Sequence, residues 1–430
     1  MEHADLGGVN FHLECIYCGA IYRPNQVIYT CSKCGGLLSV EYDFSELPEN
    51  LDRLWKKRAF SVWRYRELLP IEEEEMRVTL GEGGTSLNKC LRLSEALSLK
   101  NLYVKNEGEN PTGSFKDRGM TVGVTKALEL GMMKVACAST GNTSASLAAY
   151  AARAGLECIV LIPSGKVAFG KLTQAIVHGA KVIQIRGNFD EALSIVRKIC
   201  LSYPIYLLNS LNPFRLEGQK TAAFEIRDQL GGMIPDKIVV PVGNAGNISA
   251  IWKGFKELHK LGLTEDVPQM IGIQAEGAAP IADSLRKGLS EVEFVENPET
   301  VATAIRIGSP VNWKKAVRAV RESRGFVEKV SDGEILEAQR LLAKQEGLFV
   351  EPASAASIAG LIKLVHGGLI SKDDLVVCIL TGHGLKDPNI ILRRFPRPIE
   401  VEASENAVID VIMSKEKETI KTEEILLRNQ

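Results

Sequence analysis

Residues 106–120 read NEGENPTGSFKDRGM. LYVK (102–105) runs into them as a short apolar stretch with strand character, and Asn, Gly and Pro then break regular structure. A helix is expected to open near Ser114 or Phe115. Strand, Gly/Pro/Asn loop and helix in that order make one β/α unit. Lys116 therefore falls in the first turn of a helix, where a cation opposes the helix dipole. A lysine so placed is either simply exposed or has its pKa lowered for covalent chemistry.

The same alternation recurs outward from this stretch. Strand-like runs follow at KVACAS (134–139), ECIVLIP (157–163), KVIQI (181–185) and PIYLL (204–208). Further runs are KIVVPV (237–242), MIGIQAE (270–276), GFVEKV (325–330) and LVVCIL (375–380). Many are near-continuous Val/Ile/Leu, as strands covered on both faces must be. Helix-length segments lie between them: Thr143 to Gly155, a segment opened by a Ser331/Glu334 capping box and running to Glu346, and Ala353 to Gly367. The chain is predicted to be α/β with doubly wound parallel sheets, and nine strand runs call for two such domains.

Composition narrows the function. The 430 residues are 45% hydrophobic and 24% charged, and 52 Lys and Arg nearly cancel 53 Asp and Glu, leaving a net charge of −1. That is a soluble globular composition and argues against a dedicated nucleic-acid binder. Apolar stretches such as LECIVLI (156–162) are too short to cross a bilayer. MEHADLGGVN has neither the basic start nor the apolar core of a signal peptide, so a cytoplasmic location is expected. The acidic run Glu72–Glu75 reads as a solvated loop, and the polar stretch after PRPIEVE as a surface tail or short helix.

Cys15, Cys18, Cys31 and Cys34 form two Cys-x2-Cys pairs, with Gly19 and Gly35 where each knuckle needs a left-handed residue. Four thiolates suit a closed tetrahedral metal site, zinc before iron, structural because no coordination position stays open. Four ordinary cysteines, or a redox pair, are the alternatives, and a redox pair leaves the doubling unexplained. Tyr17, Tyr22 and Tyr29 are present, but Arg23 and Lys33 are the only cations between Cys15 and Cys34, which does not favour nucleic acid. Cys90, Cys137, Cys158, Cys200 and Cys378 sit mostly in apolar runs and read as buried hydrophobes.

Three more loops follow strands directly: STGNTSAS (139–146), GNAGN (243–247) and TGHGLKD (381–387). They belong at the carboxyl ends of parallel strands, where open α/β sheets bind ligands. GNAGN offers backbone N–H groups at a helix start, suited to a phosphate dianion. One such loop is merely a tight turn; three with a helix-start lysine make a site. None matches GxGxxG or a P-loop, which disfavours a dinucleotide or ATP.

SFKDRGM, STGNTSAS, GNAGN and TGHGLKD, in this order and with TLGEGGTSL (79–87) ahead of them, closely resemble the threonine synthase family. These are pyridoxal-phosphate enzymes of the tryptophan-synthase-β-like group. The resemblance spans roughly residues 80–390, and a four-cysteine ribbon precedes it in some members. It implies the type II fold of pyridoxal-phosphate enzymes. The expected layout is a zinc ribbon at 1–45, a large cofactor-binding domain at 46–130 and 213–400, a small α/β domain at 131–212, and a tail at 401–430. It also implies a homodimer that converts O-phospho-L-homoserine and water to L-threonine and phosphate by γ-elimination and β-hydration. The rivals are a serine/threonine dehydratase, a phosphoserine-using synthase of the same fold, or a zinc-ribbon interaction protein on an inactive body.

The resemblance also assigns roles. Lys116 would bind the cofactor covalently and then shuttle protons. Asn142 would meet the ring hydroxyl, Gly243, Asn244, Ala245, Gly246 and Asn247 would cradle the cofactor phosphate, and Thr381 would face the pyridine nitrogen with a neutral hydroxyl. Ser139, Thr140 and Thr143 would hold the substrate carboxylate, and Ser210 and Arg215 its phosphate. Read locally, Arg215 could equally be an exposed cation at a helix start.

Overall fold

Four cysteines on two knuckles set the N-terminal structure. This computed structural model describes residues 10–164, 169–388, 390 and 398–414. Strands β1 (Phe11–Cys15), β2 (Ile21–Tyr22) and β3 (Leu38–Tyr42) pair antiparallel in the order β2-β1-β3. Gly19 and Gly35 take φ of +66° and +73°, and their N–H groups return to the carbonyls of Cys15 and Cys31. Only a residue without Cβ adopts that turn at little cost.

The chain then alternates as expected. The strands are β4 (Leu87–Lys89), β5 (Asn101–Asn106), β6 (Lys134–Ala138), β7 (Glu157–Pro163), β8 (Lys181–Ile185) and β9 (Tyr206–Leu207), followed by β10 (Lys237–Pro241), β11 (Gln269–Ala275), β12 (Phe326–Val330) and β13 (Leu375–Leu380). The helices are α1 (Leu51–Lys56), α2 (Leu91–Ala96), α3 (Lys116–Glu129), α4 (Asn142–Ala154), α5 (Phe169–Val177), α6 (Phe189–Ser202) and α7 (Pro213–Gln229). After them come α8 (Gly246–Lys260), α9 (Pro280–Arg286), α10 (Trp313–Glu322), α11 (Asp332–Glu346), α12 (Pro352–His366) and α13 (Glu405–Ser414).

Two separate parallel sheets result. One has the order β12-β11-β10-β13-β5-β4, with β4 alone antiparallel; the other is β8-β7-β6-β9. Apolar clusters cover both faces of the larger sheet, which explains the unbroken LVVCIL and KIVVPV runs. A third cluster surrounds the smaller sheet. The Ser331/Glu334 capping box is present, and α4 ends on Gly155 in the left-handed conformation. PIYLL forms only two residues of strand, and β12 is a half-exposed edge. Cys90, Cys137, Cys158, Cys200 and Cys378 are all buried and free.

Helices α3 and α7 cross at backbone contact because three glycines let them. A Cβ on Gly218 would lie 1.7 Å from the Arg118 carbonyl oxygen, and one on Gly119 would lie 2.7 Å from that of Arg215. On Gly123 it would strike Leu208 at 2.6 Å and Arg215 Cγ at 3.0 Å. The crossing is locked by a buried network. Arg118 bonds Glu107 at 2.6 Å and 2.8 Å and Glu225 at 2.7 Å, and Lys105 bonds Glu225 at 2.7 Å.

The ribbon shares its core with this crossing, since Leu13, Leu38 and Val40 cluster with Val122 and Phe214. Tyr29 Oη accepts from the Leu207 N–H of β9 at 2.8 Å, and Lys315 and Lys253 donate to the β3 carbonyls of Leu38 and Val40. The chain forms one compact unit to Asp387, and Pro388–Gln430 forms a second, which holds α13. Among the described residues, no helix is long and apolar enough to cross a membrane.

Candidate active site

β13 lies between β10 and β5, so the loops that follow these three strands emerge side by side. Short bridges fasten them: Ser114 pairs with Gly382, Val350 pairs with His383, and the Phe115 N–H reaches the Thr381 carbonyl at 3.1 Å. The resulting cavity is lined by Lys116, Asn142, Ser210, Gly243 to Asn247 and Thr381, together with Phe115, Gln219 and Glu351. The structure thus brings together most of the residues singled out in the sequence. Ser139, Thr140 and Thr143 stand at the start of α4, outside this cavity wall; Ser139 Oγ accepts from the Gly141 N–H at 3.1 Å. Arg215 is on α7 and is not among the residues that line this cavity.

Lys116 is the first residue of α3, and its Nζ sits 4.2 Å from the centre of the Phe115 ring. It makes no ion pair among the described residues. Burial lowers its pKa to about 7, with further lowering from Arg215 and Lys171 and an opposing pull from Glu351. A large share of the side chain is therefore a free amine near neutrality, which is the nucleophilic form.

Its neighbour Asp117 points the other way. It accepts from Thr112 N–H at 2.7 Å, Thr112 Oγ1 at 2.6 Å and Ser146 Oγ at 2.5 Å, joining the 112 loop and α4 to the start of α3. Burial pushes its carboxyl up to about 6, against those hydrogen bonds.

Arg215 is 1% exposed, and all three of its guanidinium nitrogens lack a hydrogen-bond partner. Burial, the main cause, pulls its pKa down to about 10. An unpartnered buried cation costs several kcal/mol, on the order of 3–5.

The GNAGN loop turns through Ala245, whose φ is +63°, and α8 starts at the next residue. The first N–H groups of a helix have no intrahelical acceptor, so they are free for a ligand. Gly243 packs closely here: a Cβ on it would sit 3.0 Å from Ile305 Cα. Thr381 follows β13 directly, with its hydroxyl 3.1 Å from Ser354 Oγ.

Glu351 was not legible as a site residue. It is 1% exposed, its Oε1 accepts from Asn142 Nδ2 at 2.8 Å, and its Oε2 lies 3.1 Å from Lys171 Nζ. A lone Glu before Pro at a helix start reads as an ordinary cap. Lys171 and Ser354 were missed for the same reason: their partners are distant in sequence.

The residues fit the expected pyridoxal phosphate. Asn142 Oδ1, Asn247 Oδ1 and the Arg215 nitrogens are buried polar atoms without partners. With an uncommitted lysine amine and a glycine-rich helix start, they match an aldehyde-bearing, phosphorylated ring. The Sγ atoms of Cys15, Cys18, Cys31 and Cys34 lie within 4.8 Å of one another, with contacts of 3.5 Å and 3.6 Å. Tetrahedral zinc with bonds of about 2.3 Å sets sulfur separations of roughly 3.8 Å, so the cluster is close to metal-ready.

Comparison with known proteins agrees with the geometry. A family model described as pyridoxal-phosphate dependent enzyme matches residues 78–382. The threonine synthase of Methanosarcina acetivorans is 60% identical over 407 residues, covering 95% of this chain and 100% of that protein. That of Methanocaldococcus jannaschii is 58% identical, covering 92% and 98%. Among solved structures, maize serine racemase aligns with a TM-score of 0.60 at 20% identity, covering 72% of this chain and 90% of that one. A fungal L-serine ammonia-lyase from Rhizomucor miehei aligns with a TM-score of 0.61 at 23% identity, covering 73% and 98%.

Proposed function

We propose a function from one premise: the chain belongs to the pyridoxal-phosphate dependent enzyme family, and within it to the threonine synthases. It is a lyase that converts O-phospho-L-homoserine and water to L-threonine and phosphate. When bound, the cofactor supplies an electron sink for the substrate's carbon acids. The chain's own residues supply the rest.

Lys116, an amine near neutrality, takes the substrate's α proton and then moves protons at Cα and Cβ. Phosphate leaves from Cγ. Arg215 and Ser210 receive the phosphate, and the charge that grows on it is stabilised because Arg215 is already desolvated. Ser139, Thr140 and Thr143 hold the carboxylate at the start of α4. Gly243 to Asn247 hold the cofactor phosphate, and Asn142 holds the ring hydroxyl. Thr381 presents a hydroxyl to the ring nitrogen.

The observation that carries the choice over a dehydratase is Arg215, buried and unpartnered. A dehydratase releases no phosphate and has no use for that cation. The test is phosphate release on adding O-phosphohomoserine to the purified protein, with serine and threonine as controls. Activity on serine alone would assign a dehydratase.

The finer features rest on the resemblance. The four cysteines hold zinc in a closed structural site, and the enzyme is a cytoplasmic homodimer built from the ribbon at 1–45, the large domain at 46–130 and 213–400, the small domain at 131–212 and the tail at 401–430. Metal analysis and the solution mass check these points.

A further inference from the structure

Ser210 and Arg215 lie on one short stretch, between the two-residue strand β9 and the first turn of α7. Its local bonds are made on either side of Ser210. Asn209 bonds the Ala138 backbone, and Asn212 Nδ2 donates to the Leu207 carbonyl at 3.0 Å.

The N-terminal ribbon grips the same stretch at three points. Tyr29 turns its hydroxyl out of the ribbon and accepts from the Leu207 N–H at 2.8 Å, with its ring 5.8 Å from that of Tyr206. Phe214 packs in the ribbon's own apolar cluster, with Leu13, Leu38 and Val40. Tyr42 Oη donates to Glu217 Oε2 at 2.8 Å, and Lys253 donates both to Glu217 and to the Val40 carbonyl. Leu207 comes ahead of Ser210, and Phe214 and Glu217 stand on either side of Arg215.

A fourth tie runs through α10. Asn312 occupies the N-cap position of that helix, where an Asn side chain ordinarily accepts from the first helical N–H groups. Here it makes no capping bond. Its Nδ2 donates instead to the Ser210 carbonyl at 3.0 Å, while its backbone N–H donates to the Asn244 carbonyl at 3.1 Å. Asn312 is 1% exposed, and its amide would stand 3.5 Å from a Cβ on Gly246. One residue therefore spaces Ser210 from the 243–247 loop. The helix it opens is pinned to the ribbon: Lys315 Nζ donates to the Leu38 carbonyl at 2.7 Å, and Lys314 Nζ lies 4.3 Å from the centre of the Tyr17 ring.

We infer that the ribbon is a positioning element of the substrate site: directly through Tyr29 and Tyr42, and through α10 by way of Asn312, it fixes where Ser210 and Arg215 stand against the 243–247 loop. The inference rests on reading Ser210 and Arg215 as the holders of the substrate's phosphate, and it gives the ribbon a part in that binding. No ribbon residue lines the cavity, so the effect passes through the placement of the backbone. A phosphate held by several donors is bound well only when all of them meet its oxygens at hydrogen-bond distance together. Close-packed elements transmit such placement because they do not deform freely.

The test uses Tyr29→Phe and Asn312→Ala in the holoprotein. Tyr29→Phe keeps the buried ring and removes one hydrogen bond. Asn312→Ala removes the tie to Ser210 and keeps the backbone bond to Asn244. Each should raise the KM for O-phosphohomoserine and the inhibition constant of inorganic phosphate together, by about two- to tenfold, the worth of one net hydrogen bond. Cofactor content and the visible spectrum should match wild type, because the 243–247 loop keeps its own backbone groups. A ribbon that merely braces the fold would lower the urea midpoint and leave both constants alone. Folded, loaded variants with wild-type KM and wild-type phosphate inhibition overturn the inference, as do variants that lose cofactor while phosphate inhibition is unchanged. Should neither variant fold, Lys315→Met, which cuts the half-buried tie between α10 and the ribbon, carries the same readout. Wild-type protein that releases no phosphate from O-phosphohomoserine would instead overturn the functional reading on which the inference rests.

Discussion

Replacing Gly218 by Ala should break the molecule where its site is assembled. The new Cβ would sit 1.7 Å from the Arg118 carbonyl oxygen, whereas real Cβ atoms essentially never come closer than 3.0 Å to another heavy atom. Helices α3 and α7 must therefore part by at least about 1.3 Å. No side chain can yield, because the obstacle is backbone. Ordinary overpacking costs about 1–3 kcal/mol. Here the displaced residue is also Arg118, which is 0% exposed and bonds the buried Glu107 and Glu225, so the cost belongs at the top of that range or above it. A loss of about 3 kcal/mol is more than a hundredfold in the folding equilibrium, since about 1.4 kcal/mol is tenfold. Parting the helices also moves Arg215 away from Lys116, so cofactor retention should fall with stability. The assay is urea unfolding of the holoprotein, with cofactor content measured in parallel. Gly333→Ala is the control, because its Cβ would meet only Ser331 Oγ at 3.8 Å and its stability should hold or rise slightly. A Gly218→Ala protein within about 0.5 kcal/mol of wild type would refute the reasoning.

Lys116→Ala should lower turnover by about 10³-fold or more while the fold persists, because it removes both the covalent anchor and the proton carrier. Reductive trapping and peptide mapping should place the cofactor on Lys116, and a label on another lysine sinks the assignment. The cofactor-free protein should grow more stable as pH rises from about 7 toward the unfolded lysine value. Lys116 is depressed in the fold, so the unfolded chain binds the extra proton throughout that window, and Lys116→Met should flatten the slope by up to about 1.4 kcal/mol per unit. An unchanged slope would remove Lys116 from the titration. Thr381→Asp should place a carboxylate where a hydroxyl now meets Ser354 and change the cofactor's visible spectrum; identical spectra and rates would count against its facing the ring nitrogen. Cys31→Ser with Cys34→Ser should release one metal per chain and expose residues 10–42 to protease, and metal content equal to wild type would refute the four-sulfur site.

Some of this was legible from local sequence and some was not. Lys116, GNAGN and Thr381 announce themselves because each lies at a strand end, and the chemistry of a strand end is written in adjacent residues: glycine for the turn, an apolar run before it. Arg215 read ambiguously, as an exposed cation at a helix start or a ligand. The structure rules out the exposed cation, since Arg215 is buried, and the reason lies at Gly123, 92 positions earlier, whose missing side chain admits the arginine stem. Glu351 could not be found at all, since its partner Asn142 lies 209 positions earlier and Lys171 is almost as far. The α3–α7 glycines are close-approach positions, set by a helix about a hundred residues away in the chain. PIYLL looked like a full strand, but its end turns away after two residues, where the Asn209 side chain bonds the β6 backbone.

The bond between Tyr29 and Leu207 joins residues 178 apart in the chain. During synthesis from the N-terminus, the four cysteines emerge long before the surfaces that the ribbon will press against. Loops of about ten residues close in well under a microsecond, whereas translation adds about 5–20 residues per second, so the knuckles have on the order of ten seconds alone. A segment of that size has too little apolar surface to stay folded unaided. The metal proposed for the four cysteines would give it shape in that interval. The ribbon would then be a finished template against which β9, α8 and α10 dock as they appear. A shortage of metal would act on the yield of newly made enzyme and leave standing enzyme largely untouched.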